Sequence, residues 1–96
     1  SDLNSKIPVD ILPNNIQSIL SGTGDDHGKI QYMKEELLIE NDNKVFTSGA
    51  GGIFKPGVPI GKIEKNQTDS QLKVNFFSDF SQLRFVKLRS FVTQEN

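Results

Sequence analysis

The sequence predicts an all-β domain, a compact barrel of six or seven short, mainly antiparallel strands with little helix. Two observations carry that expectation. Apolar clusters of a few residues recur along the chain, separated by Gly, Pro, Asn, Asp and Ser, the rhythm of short strands joined by turns. In the clearest of them Leu72, Val74 and Phe76 alternate with Lys73 and Asn75, which gives a strand one buried and one wet face. The length, 96 residues, sets the scale. A chain this short buries about two thirds of its unfolded surface, enough for one modest core.

Taken in order, Ile7 and Val9 mark the first strand. Ile16, Ile19 and Leu20 are spaced like one face of a helix, but the run is short and stops at Gly22, so a strand is expected there. Ile30 and Tyr32 alternate in the next segment, and residues 34–38 suit a helical turn. Val45 to Ser48 is β-branched enough for a strand. In the segment 58–65, Val58 and Ile60 share a face, whereas Ile63 falls on the other unless one residue is looped out. Gly61 is the natural place for a β-bulge that restores the phase. After Leu72–Phe76, Ser78-Asp79 precedes a second possible helical turn over residues 80–83, and Val86 and Leu88 read as a last strand.

Residues 47–61 contain five glycines in fifteen positions. Lys55-Pro56-Gly57-Val58 suits a type II turn, with Pro pre-set at the second position and Gly supplying a positive φ at the third. Gly49, Gly51 and Gly52 allow a loop that doubles back closely against the barrel wall.

Composition removes several function classes. Eleven basic against twelve acidic side chains give a net charge of −1, too balanced for a nucleic-acid surface or a polybasic grip on anionic lipid. There is no cysteine, which excludes disulfides and thiolate metal sites and leaves the redox compartment open. No apolar run is long enough to span a bilayer. The chain opens Ser1-Asp2-Leu3-Asn4, without initiator Met or signal peptide, and reads as a piece excised from a longer protein.

Few residues carry catalytic chemistry. His27, Asp42 and Ser48 follow the His, Asp, Ser order of one protease class. A triad needs nucleophile and base within hydrogen-bond reach and an oriented acid, normally between two barrels, and this chain has room for one. Ser48 is better employed hydrogen-bonding the glycine loop. Gly24-Asp25-Asp26-His27-Gly28 offers carboxylates and one imidazole, but zinc wants three or four ligands fixed from separate places, so a solvated hairpin loop is expected. Glu40-Asn41-Asp42-Asn43 lacks the later glycine and closing glutamate of a calcium loop. No Gly-Lys-Ser/Thr ends the glycine loop, so it is no phosphate cradle. Asn66-Gln67-Thr68 matches a glycosylation sequon, read here as chance in a polar hairpin tip. No cofactor is expected.

The segment from Thr47 resembles the signature of the MreC family of bacterial rod-shape proteins. That family carries Thr-Ser-Gly-x-Gly-Gly-hydrophobic-Phe, a Pro/Gly turn, then Pro-hydrophobic-Gly-Lys and a strand. The matching residues are Thr47, Ser48, Gly49, Gly51, Gly52 and Phe54, then Pro56 and Gly57, then Pro59, Gly61 and Lys62. Ser5-Lys6-Ile7-Pro8-Val9, Ile19-Leu20-Ser21-Gly22 and Phe80-Ser81-Gln82-Leu83-Arg84-Phe85-Val86 resemble flanking family segments in the right order. Two places depart from the pattern. Asp42-Asn43 stands where the family has Gly-Asp, and both residues tolerate left-handed geometry. In Phe54-Lys55-Pro56-Gly57 the proline is moved by one.

The resemblance implies a barrel similar to one chymotrypsin-like barrel, without protease activity. It implies the second of two periplasmic barrels, residues 1–96 being one C-terminal piece of a protein held in the inner membrane by an absent N-terminal anchor. It further implies a non-catalytic scaffold of the cell-wall elongation complex, which maintains rod shape by organising peptidoglycan-synthesis proteins. The implied partners are a class B penicillin-binding protein, other elongation-complex proteins and further copies of the full-length protein, with no nucleic acid.

Strand parity nominates an interface. With Leu72, Val74 and Phe76 inside, Phe77 faces out with Lys73 and Asn75. With Val86 and Leu88 inside the last strand, Phe85 faces out beside Lys87 and Arg89, joined by Phe91. Phe77, Phe85 and Phe91 are therefore the candidate interface residues, exposed aromatics rimmed by charge. The competing class is a small barrel binding oligosaccharide or single-stranded nucleic acid, for which Phe77, Phe85, Lys73 and Arg84 supply a thin set of aromatic and basic groups.

Overall fold

The computed structural model describes residues 6–31, 38–65 and 72–86, with side chains as far as residue 83. Six strands, β1 (Lys6–Leu12), β2 (Ile16–Gly22), β3 (His27–Ile30), β4 (Lys44–Thr47), β5 (Pro59–Lys65) and β6 (Leu72–Phe76), are followed by one helix, α1 (Ser78–Val86). The strands close into a barrel in the order β1-β2-β3-β6-β5-β4, every neighbouring pair antiparallel. Closure leaves no sheet edge to be protected.

Side-chain alternation builds the core. Ile7, Val9 and Ile11 of β1, Ile16 and Leu20 of β2, Ile30 of β3, Val45 of β4, and Leu72 and Val74 of β6 all point inward and are buried. The β1–β2 turn contains a cis Leu12–Pro13 peptide bond and places Asn15 at φ 61°. The turn before β4 puts Asp42 at φ 71°, the left-handed geometry expected to survive the loss of glycine there.

A bulge is present in β5, beside Gly61 rather than at it. Val45 pairs with Gly61, but the next residue of β4, Phe46, pairs with Pro59, leaving Ile60 as the extra residue on β5. Ile60 and Ile63, three apart, are both buried as a result.

One element departs from the sequence reading. The alternation of Val86 with Leu88 predicts a final strand; instead Ser78–Val86 forms helix α1, and Leu88 lies outside the described residues. The physical reason is local and tertiary together. The Phe77 carbonyl accepts the Ser81 N–H at 3.0 Å to open the helix, and Asp79 in its first turn suits the positive end of the helix dipole. Phe80, at the start of the helix, is buried in the barrel core and meets Phe76 edge-to-face with ring centroids 5.2 Å apart. The short helical turn foreseen at 80–83 was thus the beginning of a longer one. Tyr32 and residues 34–37 of the other foreseen turn, with the sequon at 66–68, lie outside the described residues.

Candidate functional site

The glycine loop is held by strand β4. Thr47, only 2% exposed, ends that strand, and its hydroxyl is inserted into the turn that follows. Its Oγ1 donates to the Lys55 carbonyl at 2.6 Å and accepts the Val58 N–H at 2.8 Å, bridging the first and last residues of the turn. Its backbone bonds the same segment: Thr47 N–H donates to the Val58 carbonyl at 2.9 Å, and the Gly57 N–H donates to the Thr47 carbonyl at 2.8 Å. The buried Thr47 hydroxyl is thereby satisfied as both donor and acceptor. Ser48 continues the pattern, its buried hydroxyl accepting the Ala50 N–H at 3.0 Å while its own N–H donates to the Pro8 carbonyl at 2.9 Å.

Within the loop, Ala50–Gly52 makes a 3-10 turn, with Gly51 at φ 75° and Gly52 at φ 66°. The loop folds back so that Gly49 lies against the Pro56 ring, where an added Cβ would stand 3.4 Å from it. Phe54 returns to the core and is buried, while Ile53 projects and is 49% exposed.

Gly57 has φ 85°, as the type II turn requires. An added Cβ there meets nothing within 4 Å, so a substitution tests backbone strain alone. Gly57→Val is expected to lower stability by about 1–3 kcal/mol, the usual cost of forcing a β-branched residue into this region. An unchanged denaturation midpoint would show that the turn relaxes to another type.

The structure does not assemble the His, Asp, Ser set. His27 Nδ1 lies 2.9 Å from Asp26 Oδ1, not beside Asp42, and that hydrogen bond holds the Asp26 carboxyl below its ordinary value. Asp42 serves the turn before β4, and the Ser48 hydroxyl is engaged by Ala50. β3, which starts at His27, and β4, which leads to Ser48, are not neighbours in the barrel. Gly24, Asp25 and Asp26 lie in the β2–β3 connection, with Asp25 and Asp26 exposed, whereas His27 and the buried Gly28 already belong to β3 rather than to the expected hairpin loop. Among the described residues no group of three or more His, Cys, Asp or Glu side chains is placed to hold a metal.

The proposed aromatic face is only partly placed. Phe76 packs against the core, and Phe77, just past β6, is half-buried, its N–H donating to the Ile60 carbonyl at 2.9 Å. Phe77 lines an open cleft of about 530 Å³ with Asn41, Asp42, Lys62, Lys65 and Asn75 among its other walls. Of the second strand expected for that face, Phe85 lies on α1 instead, and Phe91 is outside the described residues. Strand parity therefore no longer sets Phe85 beside Phe77. Lys73 is exposed on β6, opposite Glu64 of β5.

A family model described as the barrel core of the rod shape-determining protein MreC matches residues 1–90. The chain belongs to the MreC family. It is similar to the cell shape-determining proteins MreC of Caulobacter vibrioides, 32% identical over 95% of this chain, and of Haemophilus influenzae, 33% identical over 81%. The Cereibacter sphaeroides MreC is 26% identical over 92% of the chain. The chain spans only 26%, 22% and 29% of the lengths of those three relatives, in that order. The crystal structure of MreC from Pseudomonas aeruginosa matches with a TM-score of 0.70 at 19% identity, over 83% of this chain and 56% of that one, and shows the same fold. In this barrel, then, the Thr-Ser-Gly segment is the strand end and loop anchor just described. Its residue types were legible as a motif; the double use of the Thr47 hydroxyl was not, because it depends on where residues 55–58 return.

Proposed function

We propose that this barrel is a non-catalytic scaffold domain of the bacterial wall-elongation machinery, holding peptidoglycan-synthesis proteins in place so that cells keep a rod shape. Membership of a shape-determining family, by a match running from residue 1 to residue 90 over the barrel core, is the observation that carries this reading. The employment of the reactive side chains supports it. Ser48 is buried and bonded to Ala50, and His27 is bonded to a neighbouring exposed carboxylate in a hairpin. Both serve the segments in which they stand.

On this reading the chain is the second periplasmic barrel of a longer protein anchored in the inner membrane, and its partners include a class B penicillin-binding protein. The test is capture from detergent-solubilised envelope on the immobilised barrel, with mass spectrometry of the eluate. Enrichment of a class B penicillin-binding protein over a control barrel is the expected result. Its absence, with the barrel shown folded by circular dichroism, would overturn the partner assignment.

A further inference from the structure

The strand register gathers lysines that are scattered in sequence onto one side of the barrel. Lys29 of β3 stands directly opposite Lys73 of β6, and Lys44 of β4 directly opposite Lys62 of β5. All four are exposed, and all point outward from four consecutive strands of the closed sheet, β3-β6-β5-β4. Among the described residues none of the four forms a salt bridge with a carboxylate. The acidic groups stand mostly in the connections: Asp25 and Asp26 in the β2–β3 hairpin, Glu40 and Asp42 before β4, and Asp79 in the first turn of α1. A chain of net charge −1 thus presents a basic wall between acidic loops.

Like charges directly opposite each other on a sheet are destabilising. Two such pairs on adjacent parts of one face therefore cost stability that an outside anion would return. We propose that the outer face of β3-β6-β5-β4 is a docking surface for an acidic, extended segment of a partner protein. The cleft beside Phe77, lined by Lys62 and Lys65 together with Asp42 and Glu64, adjoins this face. The proposal rests on the scaffold reading above and gives its partner a chemistry.

Shape and charge spacing select this occupant. In a closed six-stranded barrel the surface turns by about 60° per strand, so four strands curve through roughly half the circumference. A planar membrane touches one side of such a curve, whereas a flexible peptide follows it. Glu64 stands within the patch, opposite Lys73 and two residues from Lys62, and accepts the Asn75 side-chain amide. A phosphate backbone, with a charge at every nucleotide, would be driven against that carboxylate. A peptide can place its carboxylates at the lysines and leave the Glu64 position neutral.

The experiment is a fluorescence anisotropy titration of the barrel with a labelled oligo-glutamate peptide, run at low and at physiological salt. Oligothymidylate and phosphatidylglycerol vesicles are the parallel probes. The expected result is binding of oligo-glutamate that weakens steeply as salt rises and screens the lysines. Lys29→Glu with Lys44→Glu turns each like-charge pair into an opposite-charge pair. That double variant should lose affinity by about tenfold or more while its melting temperature stays level or rises. Lys6→Glu with Lys55→Glu changes net charge equally at exposed sites off this face and should retain affinity within about twofold. Lys29→Gln with Lys44→Gln repeats the binding test should the reversal variant fail to fold. Equal affinity of wild type and face variants, or tighter binding to oligothymidylate or vesicles than to oligo-glutamate, would overturn the proposal. If the reversal variant captures the same envelope partner as wild type, the lysine face is not the dock and the scaffold reading stands. Capture by neither overturns the partner assignment made above, and the peptide titration then decides the lysine face alone.

Discussion

Phe80→Ala is expected to lower the unfolding free energy by about 3–5 kcal/mol, the range for truncating a fully buried phenylalanine. Phe80 is 1% exposed and belongs to the same core cluster as Leu20, Ile60 and Val74, yet it enters that core from the helix rather than from a strand. Removing the ring leaves a cavity beside Phe76 and forfeits their edge-to-face contact. Backbone collapse into the gap is limited, because Phe77 N–H is tied to the Ile60 carbonyl and the Phe77 carbonyl to Ser81. At about 4 °C or more per kcal/mol, the melting temperature should fall by at least roughly 12 °C. A drop of only a degree or two would mean that α1 is a detachable appendage and that the six strands alone hold the core. Leu83, half-buried three residues further along the same helix, provides the graded comparison.

The contrast between Phe80 and the strands marks what the sequence could disclose. Period-two alternation is a local property, so Leu72–Phe76 could be read to the residue, and the β1, β3 and β4 segments followed from two or three apolar positions each. A bulge in β5 was legible for the same reason, since a broken alternation between Ile60 and Ile63 has few repairs, although it falls at Ile60, one residue before Gly61. Helix α1 was not. Phe80 and Leu83 fit a helical face, but Val86 and Leu88 two apart fit a strand equally well. What decides between them is the barrel core that Phe80 enters from the helix, a tertiary fact. The candidate interface inherited that choice, and Phe85 left the strand face with it. The opposed lysines show the same limit from the other side. Lys29 and Lys73 lie far apart in sequence and meet only through the pairing of β3 with β6, so composition registers a balanced charge where the folded surface does not.

Gly61→Ala should be the most damaging change available to the glycine segment, although Gly61 has an ordinary negative φ and needs no special backbone freedom. The difficulty is space. A Cβ at this position would collide with the Asn75 carbonyl oxygen and would stand 2.8 Å from the Asn75 carbonyl carbon and 3.0 Å from the Phe76 Cα, all of them backbone of β6. No rotamer change relieves a clash with main chain, so β6 must move away from β5. That movement strains the Gly61–Phe76 pairing and the barrel closure that depends on it. Overpacking usually costs about 1–3 kcal/mol, and a clash against backbone inside a closed sheet belongs at or above the top of that range. Gly52→Ala is the matched control. Gly52 has φ 66° with nothing within 4 Å of an added Cβ, so it carries strain without a collision and should lose roughly 1–2 kcal/mol. Chemical denaturation of both variants ranks the two effects. Gly61→Ala losing no more than Gly52→Ala would show that β5 and β6 separate easily at the bulge. The expected order, with Gly61→Ala the worse by more than about 1 kcal/mol, would mean that this glycine is present for close strand packing rather than for turn geometry.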